Sequence, residues 1–240
     1  MLFKNVLING GSRGIGAAMV RLFSQRGYRV AFTYESSATE ALSLSKETGS
    51  LAIRANTGIK SEVALAVAHF RREIGDVHIL INNAAVSEIG LFTDLSESAW
   101  ERLRSINLDG ALYYAQAVLP DMIRAKGGRI LQISSMWGQV GASCEVAYST
   151  TKAALIGFTK ALAKEVGPSG ICVNAIAPGV IATDMNASLG EDVLSELREA
   201  TPLGTLGTPD DVANLALFLS EEGGNFITGQ VLGINGGFVI

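Results

Sequence analysis

The 240-residue chain is poor in the residues that build metal and disulfide sites: it has two cysteines and two histidines. Cys144 and Cys172 form no disulfide framework and show no ligand spacing, so no metal is expected and both are read as buried structural thiols. His69 lies in a helical pattern and His78 at a strand entry. Neither joins a motif, which leaves a zinc centre or a histidine base without support. A basic excess is missing too. Nineteen Lys and Arg stand against 23 Asp and Glu, for a net charge of −4, so nucleic acid is not an expected partner. No apolar run reaches the roughly 18 residues of a bilayer span. The opening Met1-Leu2-Phe3-Lys4-Asn5-Val6 enters a strand pattern directly, without the charge and apolar run of a leader. A cytoplasmic protein without membrane contact is expected.

What remains is apolar and regularly patterned, with 48% hydrophobic and 18% charged residues. Short Val/Ile/Leu-rich runs predict strands at 6–9, 29–34, 51–55, 79–82, 129–133, 171–176 and 231–234, buried on both faces. Amphipathic stretches predict helices at 15–26, 38–47, 60–74, 99–124, 147–166 and 209–219. Gly27, Gly75 and Gly167 stand where helices end, and Thr208-Pro209 reads as an N-cap with a first-turn proline. This alternation predicts an α/β fold: one Rossmann-type domain over 1–240, with a doubly wound parallel sheet of about seven strands and helices on both faces. The stretch 181–206 breaks the alternation. It is read as a lid with a short helix near 192–199.

Gly10-Gly11-Ser12-Arg13-Gly14-Ile15-Gly16 lies between the first strand and the first helix. Glycines there permit a tight turn and close backbone approach to a pyrophosphate, and the helix N-terminus offers unpaired N–H groups. The same residues also match the Gly-x-Ser-x-Gly elbow of α/β-hydrolases. That chemistry needs a late histidine, and none follows His78.

Tyr148 and Lys152 are four residues apart, one helical turn, with Ser135 upstream. A free phenol has a pKa of about 10 and is a poor proton donor at neutral pH. A fixed cation beside it is expected to draw that value down. A Tyr-x-x-x-Lys pair by itself usually means an amphipathic surface and no more.

Together these residues, with Asn82-Asn83-Ala84, Asn107 and Pro178-Gly179, resemble the short-chain dehydrogenase/reductase family over essentially the whole chain. Gly128-Arg129-Ile130, Asn174 to Gly179, Thr183-Asp184-Met185 and Asn235-Gly236-Gly237 look like its bacterial β-ketoacyl-acyl-carrier-protein reductases. The resemblance implies NADPH-dependent reduction of a ketone, a β-ketoacyl thioester first, with another small ketone or alcohol (sugar, steroid or xenobiotic) as the alternative. A dinucleotide sensor without activity is a third reading, which the complete Tyr/Lys set opposes. It implies that Tyr148 gives a proton to the carbonyl oxygen and that Ser135 hydrogen-bonds that oxygen. Lys152 would tune the phenol and hold the nicotinamide ribose, and Asn107 would bind a water leading to Lys152. Cofactor contacts are implied for Gly10, Ser12, Arg13, Gly14, Ile15, Gly16, Tyr34, Asn56, Asn83, Ala84, Tyr148, Lys152, Pro178, Gly179, Val180 and Thr183.

Three positions depart from the family pattern. Asn9 replaces a threonine, with a modified turn expected. Ala85 replaces a glycine and is expected to crowd the cofactor or the backbone. Asn56 replaces an aspartate. Uncharged Tyr34 at the end of the second strand and Arg13 favour NADPH over NADH, while Glu35 pulls the other way. Substrate contacts are expected from 86–91, 136–143 and 181–206, with Trp137, Val140, Ile181, Met185 and Leu189 giving an apolar pocket. Arg124, Lys126 and Arg129 form the best basic patch for an acidic acyl carrier protein, although Pro168-Ser169-Gly170 lacks a base. A homotetramer is the implied assembly.

Overall fold

The computed structural model describes residues 4–183 and 190–240. Seven parallel strands form one sheet: β1 (Asn5–Asn9), β2 (Arg29–Tyr34), β3 (Leu51–Arg54), β4 (Ile79–Asn82), β5 (Gly128–Ile133), β6 (Ile171–Pro178) and β7 (Val231–Ile234). Their order is β3-β2-β1-β4-β5-β6-β7. The chain direction of travel reverses between β1 and β4, so a crevice opens there at the carboxyl edge. In register, Asn9 lies beside Asn82, and Asn82 beside Gln132. β1, β4, β5 and β6 are buried along their whole length, as their continuous apolar runs require.

Two cores sit on opposite faces. One packs α1 (Gly14–Gln25), α2 (Ala38–Thr48) and α9 (Pro209–Ser220) around Val6, Ile8, Phe23 and Phe32. The other packs α3 (Lys60–Glu73), α5 (Gly110–Ala125) and α7 (Val146–Val166) around Leu7, Phe70, Leu80 and Tyr114. α9 starts on a capping box, with Thr208 and Asp211 reciprocating and Pro209 in the first turn.

Several boundaries differ from expectation. The helix expected over 99–124 is not continuous: α4 (Glu97–Arg104) runs into a π turn, Ser105–Asp109, before α5 begins. A π turn adds one residue, a change hydrophobic periodicity does not report. Gly167 is right-handed and opens a 3-10 turn, and Gly170, at φ 74°, takes the left-handed position instead. A four-residue helix, α6 (Trp137–Val140), is too short to leave a period in sequence. The helix near 192–199 is present as α8 (Glu191–Glu199). The segment bearing it is tied where it leaves and rejoins the fold, Gly207 donating to Val180 and Ala182 to Gly207. Met185 and Leu189, both expected in the pocket, lie outside the described residues. No helix among the described residues is long and apolar enough to cross a membrane.

Candidate active site

The glycine loop is built for close approach. Gly10 has φ +66° and Gly14 φ +52°, backbone that L side chains rarely adopt. A Cβ on Gly16 would lie 2.2 Å from the Gly10 carbonyl oxygen, and one on Gly10 2.7 Å from Ala84 Cα. The turn after β4 is therefore pressed against the loop. Asn83 Nδ2 donates to Gly10 O at 2.7 Å, and Asn9 organises the contact from below. Its Oδ1 accepts from the Asn83 and Ala84 N–H groups, both at 2.7 Å, and its Nδ2 donates to Asn82 Oδ1 at 2.7 Å. The modified turn expected at Asn9 is thus one side chain with three bonds. Ala85 keeps the negative φ of ordinary backbone: among the described residues only Lys126 and Cys144 are non-glycines with positive φ.

Arg13 is the exposed N-cap of α1, with Ser12 before it and Ile15 packed on the core behind. Thr183 faces Gly14, its Cγ2 3.4 Å from where a Cβ there would lie. Pro178, Gly179 and Val180 leave β6 beside Met136, whose N–H donates to Pro178 O at 2.9 Å. Tyr34 ends β2 half-buried, next to the linked pair Glu35 and Asn56. These residues fit a dinucleotide: a cradle that any side chain would fill, at a helix N-terminus with free donors.

Across the crevice, Ser135 follows β5, and Tyr148 and Lys152 project from α7. Ser135 is buried and hydrogen-bonds the Tyr148 hydroxyl. Lys152, 2% exposed, donates from Nζ to the Ile133 carbonyl at 2.8 Å and lies 5.6 Å from the Tyr148 ring centroid. Desolvation pushes the phenol up to about 12, with Ser135 pulling it down and Glu145 pushing it further up. Desolvation also pushes Lys152 down to about 7. The expected lowering of the tyrosine by its neighbour is not met: burial dominates both groups and favours the neutral form of each.

Asn107 lies in the π turn and is buried. It exchanges two hydrogen bonds with the Val86 backbone, each 2.8 Å, and donates to Thr151 Oγ1 at 3.2 Å. The sequence reading missed Thr151, which donates to the Tyr148 carbonyl and so joins α7 to the π turn. It also missed Ser134 and Gly138. Ser134 Oγ donates to Lys152 O at 2.9 Å, and a Cβ on Gly138 would lie 2.8 Å from Ser134 Oγ and 2.9 Å from Lys152 O. The run Ser134-Ser135 and the glycine after Trp137 were the available signals.

Other expectations are corrected. Cys144 is only half-buried and left-handed at φ 60°. Ile181 packs in the α1 face core rather than in a pocket, whereas Val140 is exposed. Trp137 meets Phe238 edge to face at 5.6 Å. The basic patch does not form: Arg129 is interior, bonded to Gly128 O and Asn225, and Arg124 pairs with Asp121 and Asp76.

A doubly wound sheet with a glycine cradle at its switch point, facing a Ser/Tyr/Lys set, defines a nicotinamide-dinucleotide-dependent oxidoreductase acting on CH–OH or C=O groups. Residues 10–239 match a family model described as Enoyl-(Acyl carrier protein) reductase. The chain belongs to the short-chain dehydrogenase/reductase family. It is 38% identical over 239 residues to the 3-oxoacyl-(acyl-carrier-protein) reductase FabG of Chlamydia trachomatis, covering 98% of this chain and 96% of that one. The protein of the same name from Aquifex aeolicus is 39% identical with the same coverage. Among solved structures, a doubly substituted short-chain dehydrogenase/reductase of Serratia marcescens superposes with a TM-score of 0.92 at 32% identity, covering 98% of this chain and 97% of that one. A blue fluorescent protein from a metagenomic library, in complex with NADPH, gives 0.91 at 34%, covering 99% and 98%.

Proposed function

We propose that the chain is a single-domain NADPH-dependent reductase of 3-oxoacyl thioesters, acting on carrier-bound substrate. The observation that carries the reading is the joint placement of Ser135, Tyr148 and Lys152 across the crevice from the glycine cradle. Full-length similarity to the 3-oxoacyl-(acyl-carrier-protein) reductases supports the substrate class.

The glycine cradle and Lys152 would hold a nicotinamide dinucleotide, whose chemistry when bound would be hydride delivery to the carbonyl carbon. Tyr148, protonated across the neutral range, gives its hydroxyl proton to the carbonyl oxygen. Ser135 donates a hydrogen bond to the same oxygen and stabilises the charge that develops on it. Lys152, titrating near neutrality, stabilises the phenolate left behind and returns a proton to it. Asn107 fixes Val86 and α7 relative to each other, and its Oδ1 keeps one lone pair for a water leading toward Lys152. NADPH over NADH is supported by Arg13, exposed at the cradle, and by uncharged Tyr34.

The test is NADPH consumption with acetoacetyl thioesters, simple ketones, sugars and steroids. Turnover is expected with the thioesters, and its absence there with turnover elsewhere overturns the substrate class. The missing basic patch favours a second reading, reduction of a small free ketone. Carrier-bound and coenzyme A thioesters at equal concentration separate the two. A cytoplasmic homotetramer completes the proposal, supported by the exposure of Phe226 and Ile240. Sedimentation is expected to give about four times the 25.2 kDa chain mass.

A further inference from the structure

We propose that Asn56 determines dinucleotide specificity by holding the Glu35 carboxylate on the β3 side of the ribose site, so that a 2′-phosphate is admitted. The inference rests on the dinucleotide binding proposed above and deepens it. Glu35 is the first residue after β2, at the carboxyl edge beside the glycine loop, where Gly11 N–H donates to Thr33 O at 3.0 Å. A carboxylate at this edge accepts from ribose hydroxyls and repels phosphate. Here Glu35 Oε1 accepts from Asn56 Nδ2 at 2.7 Å.

Asn56 is itself held, in a way that leaves one orientation. Its backbone N–H donates to Glu62 Oε2 at 2.7 Å, and its Oδ1 accepts from the Gly58 N–H at 2.8 Å. With the oxygen end committed to a backbone donor, the NH2 end is what faces Glu35. The Glu35 main chain is anchored as well, its carbonyl accepting from Arg54 Nε at 3.2 Å. The acid is thereby engaged away from the ribose by a neutral donor. Specificity then lies in restraint of a repulsive group as much as in attraction by Arg13.

Dissociation constants of NADP+ and NAD+, and of 2′,5′-ADP against 5′-AMP, measured by calorimetry on the full chain and three variants test this. Asn56→Asp keeps the acceptor for Gly58 and removes the donor to Glu35. The preference for the 2′-phosphorylated ligand is expected to fall on the order of fivefold, the scale of one exposed charge contact. Glu35→Gln is expected to change the preference little in the parent and to restore most of it in the Asn56→Asp background. An unchanged preference in Asn56→Asp, or a loss retained in full by the double variant, overturns the inference and leaves the proposed reaction standing. Equal effects of Glu35→Gln in both backgrounds overturn it too. Failure of the chain to bind either dinucleotide overturns both.

Discussion

Lys152 is a cation placed where cations are costly. Its Nζ has one carbonyl partner and no carboxylate among the described residues, so its charge depends on pH near neutrality. The sign follows from linkage. Below about 7 the native state and the unfolded chain both carry the proton, and the burial penalty is fully present. Between that value and the ordinary lysine value near 10.5 only the unfolded chain binds the proton, so stability rises with pH there. The expected gain is at most about 1.4 kcal/mol per pH unit. Denaturant melts of the parent and of Lys152→Met check this, since the variant should lack that part of the slope. Tyr148 makes a separate prediction. Tyr148→Phe removes the proposed proton donor and is expected to lower kcat by about 10²- to 10⁴-fold while dinucleotide affinity stays within about twofold. Unchanged turnover in a stopped-flow NADPH assay would remove Tyr148 from its assigned role. These two residues were legible in sequence because four-residue spacing has one geometric meaning on a helix. Their ionisation was not, because it depends on enclosure by β5 and Ser135, which spacing along the helix does not report.

At the level of elements, the π turn between α4 and α5 does what a regular helix does not. It presents the Asn107 amide to Val86 and to Thr151 at once, fixing the segment after β4 relative to α7. Asn107→Leu forfeits these bonds and leaves the part-buried Val86 N–H and carbonyl without the partners they have in the parent. A loss of about 2–4 kcal/mol is expected, read as a fall in Tm of roughly 4–16 °C. Calorimetry of the variant against the parent measures it, and kcat should fall as well because α7 carries Tyr148. The glycine cradle gives the sharper test. Gly16→Ala should be favourable by helix propensity, yet its methyl would meet the Gly10 carbonyl at 2.2 Å. Dinucleotide affinity is expected to fall at least tenfold with the far-ultraviolet spectrum unchanged. The strands were readable because apolar runs buried on both faces have one explanation in a parallel sheet. The π turn and α6 were not: one extra residue and one isolated turn carry no period. The Arg124–Lys126–Arg129 patch failed for a different reason: Arg129 lies in the strand expected over 129–133, whose burial on both faces takes its side chain inside, and Arg124 is taken up by Asp121 and Asp76.

Across the whole molecule the sheet separates two cores, and only one of them packs behind the cradle. Phe70 belongs to the α3 face and is fully buried. Phe70→Ala is expected to cost about 3–5 kcal/mol in a denaturant melt and to leave the NADP+ dissociation constant within about twofold. A matching loss of affinity would show that the two faces are coupled more tightly than the layering implies. The doubly wound topology was predictable as a whole because alternation of elements admits few parallel arrangements. Which loops meet at the crevice was not, because those contacts join the carboxyl ends of strands many residues apart.

Asn9 carries an implication for exchanging parts between relatives. Its single amide binds the neighbouring strand end through Asn82 and the following turn through two main-chain donors. A hydroxyl side chain offers one proton and a shorter reach, so transplanting a threonine-bearing loop alone would strand the Asn82 oxygen inside the protein. Position 9 is therefore read together with the turn that receives it, and a chimaera carrying the threonine-bearing loop without the relative's own 82–85 surroundings should melt below the parent.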